Sequence, residues 1–541
     1  MRIVIVGGVA GGMSAATRMR RLDAEAEIIV LEKSGHVSYA NCGLPYFVGG
    51  VIEEDALLLQ TPASLHARFN LDVRVATEVT SIDPAAKTVK VKDWRKSEEY
   101  VLSYDKLILS PGASPVVPPI PGINRALTLR TVEDVEKIAD RVNAKPQSAV
   151  VIGGGFIGVE IAENLVHKGV PTTVVEAAPQ VLAPLDPEMA TLVAKEMRKH
   201  GISLHLGVSA QEVTPTTVVL SDETVLDAEL VIMAIGVRPD TSLAKAAGLT
   251  LGTRGGIEVD DFNRTSNHDI YAVGDAAEKT DAIDGSATLV PLANLANRHG
   301  RVVADHIAGR TTRPIKTIGT AIVKVFDLMI AATGWNEKRL KAAGRDVMVI
   351  HTHPNNHAGY YPDAKQIALK LIFDPKTGEI LGGQGVGVDG VDKRIDVIAT
   401  AIRGGITAPE LADLELAYAP PFGSAKDPVN MLGYIAENMM SGLLKTAQWN
   451  QTQELREAGY QLIDVRTPSE YGRGTIPGAI NIPVDEIRDR VSEIKKEPIL
   501  VNCQVGQRGH TATMLLKELG FDATNLDGGY LTYSNSPAST N

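Results

Sequence analysis

The 541 residues include two cysteines, Cys42 and Cys503, near opposite ends of the chain. At that separation a disulfide framework is not indicated, and each thiol works alone or with a thiol from outside. Cys42 sits in Ser38-Tyr39-Ala40-Asn41-Cys42-Gly43-Leu44-Pro45-Tyr46, with no second thiol nearby for an intrachain redox pair. A lone redox cysteine can cycle through a mixed disulfide with a small thiol, or through a sulfenic acid when peroxide is the oxidant. A buried inert thiol is the alternative. Cys503 follows the β-branched run 498–501 and opens Cys503-Gln504-Val505-Gly506-Gln507-Arg508 ahead of an apolar-periodic helix. A cysteine at a strand end, wrapped by a short loop that starts a helix, has backbone N–H groups aimed at its sulfur. That arrangement lowers the thiol pKa and stabilises a persulfide or a bound oxyanion.

Two further segments could cradle phosphates. The turn Gly7-Gly8-Val9-Ala10-Gly11-Gly12 departs from G-x-G-x-x-G, because Val9 stands at the second glycine position. The turn Gly153-Gly154-Gly155-Phe156-Ile157-Gly158 keeps the strict pattern. Both positions need a tight turn, close backbone approach to a pyrophosphate and a helix N-terminus facing it. Glu32 and Glu176 end the strands that follow and are spaced to bond a ribose hydroxyl. An acid at 176 repels a 2′-phosphate, which favours NADH and leaves NADPH as the lesser option.

The elements that carry these residues repeat. Strand 2–6 and strand 149–152 each lead into a glycine turn, a helical pattern and a strand ending in an acid, 28–32 and 172–176. This is one βαβ unit used twice. Strands with turns occupy 73–110, and the Pro/Gly cluster 110–122 reads as a connection. A mixed region spans about 317–440, an apolar helix about 429–445, and a separate α/β module 448–541, with 534–541 as a frayed tail. The composition is that of a globular protein, 44% hydrophobic and 22% charged. A net charge of −11 and 4% aromatic residues argue against nucleic acid as a partner. No apolar run approaches a membrane span. The first residues read as a strand and not as a signal peptide, and the free thiols fit the reducing cytoplasm.

Thr265-Ser266-Asn267-His268-Asp269-Ile270-Tyr271-Ala272-Val273-Gly274-Asp275 resembles the second flavin motif of the two-dinucleotide flavoprotein disulfide reductases, and Ala234-Ile235-Gly236-Val237-Arg238-Pro239 resembles their segment between the NAD and FAD domains. The Asn41-Cys42-Gly43-Leu44-Pro45 core is similar to that of the single-cysteine branch: coenzyme A (CoA)-disulfide reductases, NADH oxidases and NADH peroxidases. The resemblance implies FAD, NADH and CoA. For the cofactors it implies Gly7, Val9, Ala10, Gly11, Gly12, Glu32, Lys33, Val79, Ser110, Pro111, Gly112, Gly153, Gly155, Phe156, Ile157, Gly158, Glu176, Gly236, Asp275, Pro291, Leu292 and Ala293, with Asp275 on the ribityl chain. For CoA it implies Arg18 and Arg21, on a helix that otherwise reads as a solvated face, together with Ser38, Asn41, Gln60, Arg298 and His299. The segments 357–362 and 417–421 resemble the dimerisation domain, in which Tyr361 and Tyr418 would reach Cys42 of the partner subunit in a homodimer. His351, His353 and His357 cluster in sequence without an acid or cysteine set, so no metal is expected.

The C-x4-R spacing of Cys503 and Arg508 resembles rhodanese sulfurtransferases. Leu462-Ile463-Asp464-Val465-Arg466-Thr467-Pro468-Ser469-Glu470-Tyr471, Ile476–Pro483 and Leu526-Asp527-Gly528-Gly529-Tyr530 resemble that family's other boxes, except that Thr475 replaces the usual histidine. As a whole the chain resembles the CoA-disulfide reductase–rhodanese fusions, which include NADH-dependent persulfide reductases. The expected fold is α/β: nested Rossmann-like FAD (1–112 and 240–316) and NAD (113–239) domains, an α+β dimerisation domain (317–445) and a rhodanese domain (446–535). The expected activity is reduction of CoA disulfide, CoA persulfide or polysulfide through a mixed disulfide between Cys42 and CoA, joined to sulfur transfer on Cys503. Two rivals are an NADH oxidase or peroxidase with an accessory rhodanese, and a thiol-redox sensor.

Overall fold

The structure is a computed structural model, and it describes residues 1–540. The chain divides into two compact units: residues 1–179 with 200–319, and residues 180–199 with 320–541. Among the described residues no helix is long and apolar enough to cross a membrane.

In the first unit the glycine turns belong to two parallel sheets. Strands β1 (Arg2–Val6), β2 (Glu27–Leu31), β3 (Asp72–Arg74), β4 (Lys106–Leu109), β5 (Leu127–Thr128), β6 (Ala149–Ile152), β7 (Thr172–Glu176), β8 (Ser203–Leu206), β9 (Leu230–Met233) and β10 (Ile270–Ala272) are ordered β10-β4-β1-β2-β3 and β8-β7-β6-β9-β5. The central strands β1, β4, β6 and β9 are buried almost throughout, as parallel strands covered on both faces must be. Helix α1 (Ala10–Leu22) buries Gly11, Gly12, Ala15 and Ala16. These small residues let it pack closely on helix α3 (Ala293–Ile307), where a Cβ at Gly300 would run into α1 backbone. Helix α2 (Phe156–His167) follows the second turn.

The second unit holds two sheets. The antiparallel one runs β11 (Ala321–Val325), β12 (Leu328–Gly334), β15 (Ile380–Gly387), β14 (Ile367–Phe373), β13 (Met348–Thr352). Helix α4 (Val391–Gly404) lays Val391, Ile395 and Ile398 against Gly383 and Gly385 of β15, where side chains would leave no room. Helix α5 (Pro428–Met440) covers the same core; it is the apolar helix read at about 429–445, and it stops earlier. The parallel sheet runs β16 (Thr446–Ala447), β20 (Ala523–Leu526), β19 (Ile499–Asn502), β17 (Gln461–Asp464), β18 (Ile480–Asn481). Helix α6 (Gln507–Glu518) lies against β19 and β20.

The expectation of a frayed tail is corrected. Helix α7 (Gly529–Ser534) begins before it, and Asn535 and Ser536 are buried. Lys195 Nζ donates to Asn535 Oδ1 at 2.6 Å. Polar composition suggested a solvated end, but these side chains are held by hydrogen bonds within the unit. Asn541 lies outside the described residues.

Candidate active sites

In both glycine turns the acid at the next strand end anchors the turn itself. Gly8 N donates to Glu32 Oε2 at 2.8 Å and Gly154 N to Glu176 Oε2 at 2.7 Å. The other oxygen of each takes a second amide, Ser34 N at 2.8 Å and Ala178 N at 2.7 Å. A carboxylate has about four lone-pair sites, so both acids keep capacity for ribose hydroxyls. Helices α1 and α2 start without a side-chain cap and without an acid in the first turn. Their first N–H groups therefore remain available to an anion. Gly12 and Gly158 are turned toward the carbonyls of Gly7 and Gly153, where a Cβ would leave no room, so glycine there permits close helix–strand packing. Gly155 differs. Its φ is −76° and a Cβ there would touch nothing in the protein. Neither chain conformation nor packing demands glycine at 155, whereas close approach of a pyrophosphate does. Phe156 and Ile157 form the first turn of α2, and Gly236 is exposed with φ +120°. These residues fit a nicotinamide dinucleotide.

The first turn opens on a cavity of about 610 Å³, a volume proper to a cofactor site. It is lined by Gly7, Val9, Ala10, Gly11, Glu32, Lys33, Val79, Ser110, Pro111, Gly112, Asp275, Pro291 and Ala293, and also by Asn41 and Cys42. Sequence positions from 7 to 293 thus meet on one surface. Asp275 lines it with no donor from the described residues bonded to its carboxyl; burial pushes that carboxyl up, partly opposed by Arg130 and Lys279. An acceptor left free in a dry wall suits a polyol such as a ribityl chain, so this cavity fits FAD. Leu292 is set just outside it, as N-cap of α3.

Cys42 stands in a short 3-10 turn, Asn41–Gly43, and its side chain is open to solvent. The surrounding walls still push its thiol pKa up, with the Glu160 and Asp275 carboxylates adding to the effect. Glu160, on α2, accepts from Tyr46 Oη at 3.3 Å. Burial raises Glu160 to about 7, against the Tyr46 hydrogen bond and with help from Glu163. Glu160, Tyr46 and the cavity-lining Arg130 went unassigned in the sequence; no local motif marks them.

The candidate CoA residues are scattered. Arg18 is tied to Asp305 of α3 at 2.6 Å and largely covered, whereas Arg21 is exposed. Ser38 has φ +51° and donates its amide to Gly8 O at 2.8 Å. Gln60 Oε1 accepts from Ser64 Oγ at 2.9 Å. Arg298 is exposed, but its neighbour His299 is buried beside Asn263, its Nδ1 3.3 Å from Asn263 Nδ2. Burial, with Lys279 and Arg298, lowers His299 to about 4. A neutral, covered imidazole is a poor phosphate ligand, so His299 departs from the expectation.

In the second unit Cys503 is fully buried at the end of β19. Gly506 N, at φ +92°, donates to its Sγ at 3.1 Å, so the loop does aim an amide at the sulfur. Arg508 forms a fork with Glu470, at 2.6 and 2.8 Å, and holds that carboxyl down at about 2. The fully buried guanidinium near the loop is instead Arg466. It pairs with Asp464 at 2.6 Å, donates to Gln504 Oε1 at 3.1 Å and lies 4.2 Å over the Tyr530 ring. Thr475, at the usual histidine position, donates to Asp464 Oδ2 at 3.0 Å. Arg466 and Glu470 belong to a box legible in the sequence, but only folding shows which arginine faces inward.

The three histidines go to separate partners: His351 to Glu188 and Asp527, His353 to Thr532, His357 to Pro362 O. Tyr418 pairs with Tyr360 at 3.0 Å between hydroxyls, and not with Tyr361, which meets His357 edge to face. All three tyrosines are exposed.

The sequence pattern described as pyridine nucleotide-disulphide oxidoreductase matches residues 1–300. The dimerisation domain of the same family matches residues 320–428, and a rhodanese-like domain matches 448–536. An NADH oxidase of Methanocaldococcus jannaschii is 35% identical over 80% of this chain and 97% of its own length. A coenzyme A disulfide reductase of Staphylococcus aureus is 35% identical over 81% of this chain and 100% of its own. Among solved structures, reduced Bacillus anthracis CoADR-RHD is 49% identical, with a TM-score of 0.97 over 99% of this chain and 98% of that one. An NAD-dependent persulfide reductase from A. fulgidus is 38% identical, with a TM-score of 0.93 over 98% of this chain and 100% of that one.

Proposed function

The chain belongs to the pyridine nucleotide-disulphide oxidoreductase family, and from that premise we propose that it is an NADH-dependent flavoprotein reductase of CoA disulfide and CoA persulfide with a built-in sulfurtransferase. The observation that carries the reading is the first cavity, where the glycine turn, Glu32, Asp275 and Cys42 share one surface. FAD would be held there by Gly7–Gly11, Glu32, Ser110–Gly112 and Asp275, and NADH by Gly153–Gly158 and Glu176; when bound, they supply a two-electron reductant. The Cys42 thiolate attacks the CoA-bearing sulfur of a CoA persulfide, forming a Cys42–S–S–CoA bond and expelling hydrosulfide. Two electrons and a proton then return Cys42 as thiolate and release CoA as thiol. The net reaction consumes NADH, a proton and the persulfide, and yields NAD⁺, CoA and hydrogen sulfide. Exposed Arg21 supports phosphate recognition on α1, and Arg18 would join it on exchanging Asp305 for a phosphate. Cys503 takes the sulfane sulfur of a donor such as thiosulfate, leaving Cys503–S–S⁻ and sulfite, and passes that sulfur to a small thiol; the Gly506 amide supports an anionic sulfur. Polysulfide belongs to the same substrate class.

The domain limits read above, 1–112 with 240–316, 113–239, 317–445 and 446–535, go with this reading. So does a homodimer, supported by the dimerisation-domain match and by exposed Tyr360, Tyr361, Tyr418 and Phe422. Two free thiols suit the cytoplasm. The test is anaerobic NADH oxidation with CoA disulfide, in which two free thiols should appear per NADH. The NADH oxidase relative supports a second reading. Under it NADH is consumed with oxygen alone, giving water or peroxide, and CoA disulfide does not accelerate the reaction.

A further inference from the structure

One cluster of fully buried charges in the second unit lies outside the Cys503 site. Lys370 of β14 is fully buried, 2.6 Å from Glu188, 2.7 Å from Glu337 and 2.9 Å from Asp186. Glu188 Oε1 also faces His351 Nε2 at 3.0 Å. His351, on β13, faces Asp527 Oδ2 with Nδ1 at 2.7 Å, and the same oxygen accepts the His351 backbone amide at 2.8 Å. An imidazole whose two nitrogens both meet carboxylates donates from both, so it is a cation here. A continuous path of charge-assisted hydrogen bonds therefore leads from Lys370 through Glu188 and His351 to Asp527.

Asp527 begins the stretch that touches the Cys503 loop. Gly528, at φ +64°, lies so close to His351 that an added Cβ would be 2.7 Å from the histidine Cβ. A Cβ on Gly529 would be 2.9 Å from Gly506 N, the amide that holds Cys503 Sγ. Tyr530 N donates to Cys503 O at 2.7 Å and Leu531 N to Gln504 O at 2.9 Å. The paired glycines are thus a spacer pressed between His351 and the sulfur-binding loop. His353 adds a second tie, its Nε2 2.7 Å from Thr532 Oγ1.

We infer that His351, which lies in the dimerisation-domain sheet and outside the rhodanese module, is the positioning residue for the Cys503 loop, so that sulfur transfer requires that sheet as a template. The inference rests on the sulfurtransferase reading of Cys503. The experiment compares His351→Asn, His351→Gln and Asp527→Leu in the full-length, flavin-loaded protein. The Asn amide can stand where Nδ1–H donates to Asp527, whereas the Gln amide stands where Nε2–H donates to Glu188. With thiosulfate and cyanide, His351→Asn should keep kcat within about threefold, while His351→Gln and Asp527→Leu should lose about a hundredfold in kcat with KM little changed, the penalty of a misplaced reacting group. NADH-driven reduction of CoA disulfide should stay at the wild-type level in all three, which also certifies folding.

Equal kcat in His351→Gln and wild type overturns the inference. Loss of CoA-disulfide reduction in both His351→Gln and Asp527→Leu overturns it as well, because the network would then be a general scaffold. If the wild-type protein transfers no sulfur, the sulfurtransferase reading fails and the positioning role is decided separately. The readout is then iodoacetamide alkylation of Cys503, followed by peptide mass spectrometry. A change of about tenfold in His351→Gln but not His351→Asn supports it, and equal rates overturn it.

Discussion

Replacing Lys370 by Met keeps the size of the side chain and removes the one cation that Asp186, Glu188 and Glu337 share at 2.6–2.9 Å. Glu188 and Asp186 are themselves almost wholly buried, so water cannot take the place of the ammonium. Breaking a buried pair by deleting one partner costs about 3–5 kcal/mol, mostly because the remaining charge is stranded. For a unit of this size each kcal/mol corresponds to about 2–4 °C, so an apparent Tm about 6–20 °C lower is expected for the transition of the second unit. The pH dependence has a definite sign. Lys370 and His351 hold the Glu188 carboxyl well below the usual range, against the opposing effect of burial. A depressed carboxylate contributes stability above its unfolded pKa and loses it as pH falls through the folded value. In Lys370→Met the Glu188 and Glu337 carboxyls rise instead, so the deficit should be largest near pH 8 and shrink toward pH 5 as protons replace the missing cation. Glu188→Gln added to Lys370→Met should recover part of the loss, since contacting residues are not additive. Scanning calorimetry of wild type and variant at both pH values is the assay. A Tm within about 2 °C of wild type at pH 8 would refute the reasoning, as would a deficit that grows on acidification.

Cys42→Ser should abolish NADH-driven reduction of CoA disulfide and CoA persulfide while keeping the flavin, whereas Cys503→Ser should abolish thiosulfate sulfur transfer and leave reduction of small soluble substrates largely intact; an equal loss in Cys503→Ser would make passage through Cys503 obligatory. Because burial first, then Glu160, raises the Cys42 thiol, Glu160→Gln should move the pH midpoint of Cys42 alkylation in flavin-stripped protein downward, and an unmoved midpoint would discount the carboxylate. Glu176 should make NADH the better donor by kcat/KM, and Glu176→Ala should narrow that preference by at least about tenfold, since a carboxylate facing a 2′-phosphate costs more than 1.4 kcal/mol; NADPH equal to NADH in the wild type would contradict this.

What could be read before folding was local. The turns at 7–12 and 153–158, the acids 32 and 176, the Cys503 loop and the order of the motifs are contiguous patterns, and each keeps its meaning because the strand–turn–helix unit sets its own geometry. The cavity that gathers Val9, Val79, Pro111, Asp275 and Cys42 follows from such motifs only through family likeness, since their sequence separation says nothing about distance. Side-chain partnership was not legible at all. By its C-x4-R spacing the sequence singles out Arg508, yet it is Arg466 that is buried on Asp464, while Arg508 is pinned by Glu470 near the surface. It offers Tyr361 and Tyr418 together, yet Tyr418 meets Tyr360. It offers three histidines as a cluster, yet β13 and the loop after it send each to a different partner. Lys370 stands in a plain apolar strand, and its value appears only when residues 186, 188 and 337 converge on it. The reason is physical: propensity and turn chemistry act over a few residues, whereas burial, ion pairing and pKa depend on which distant segments exclude water together.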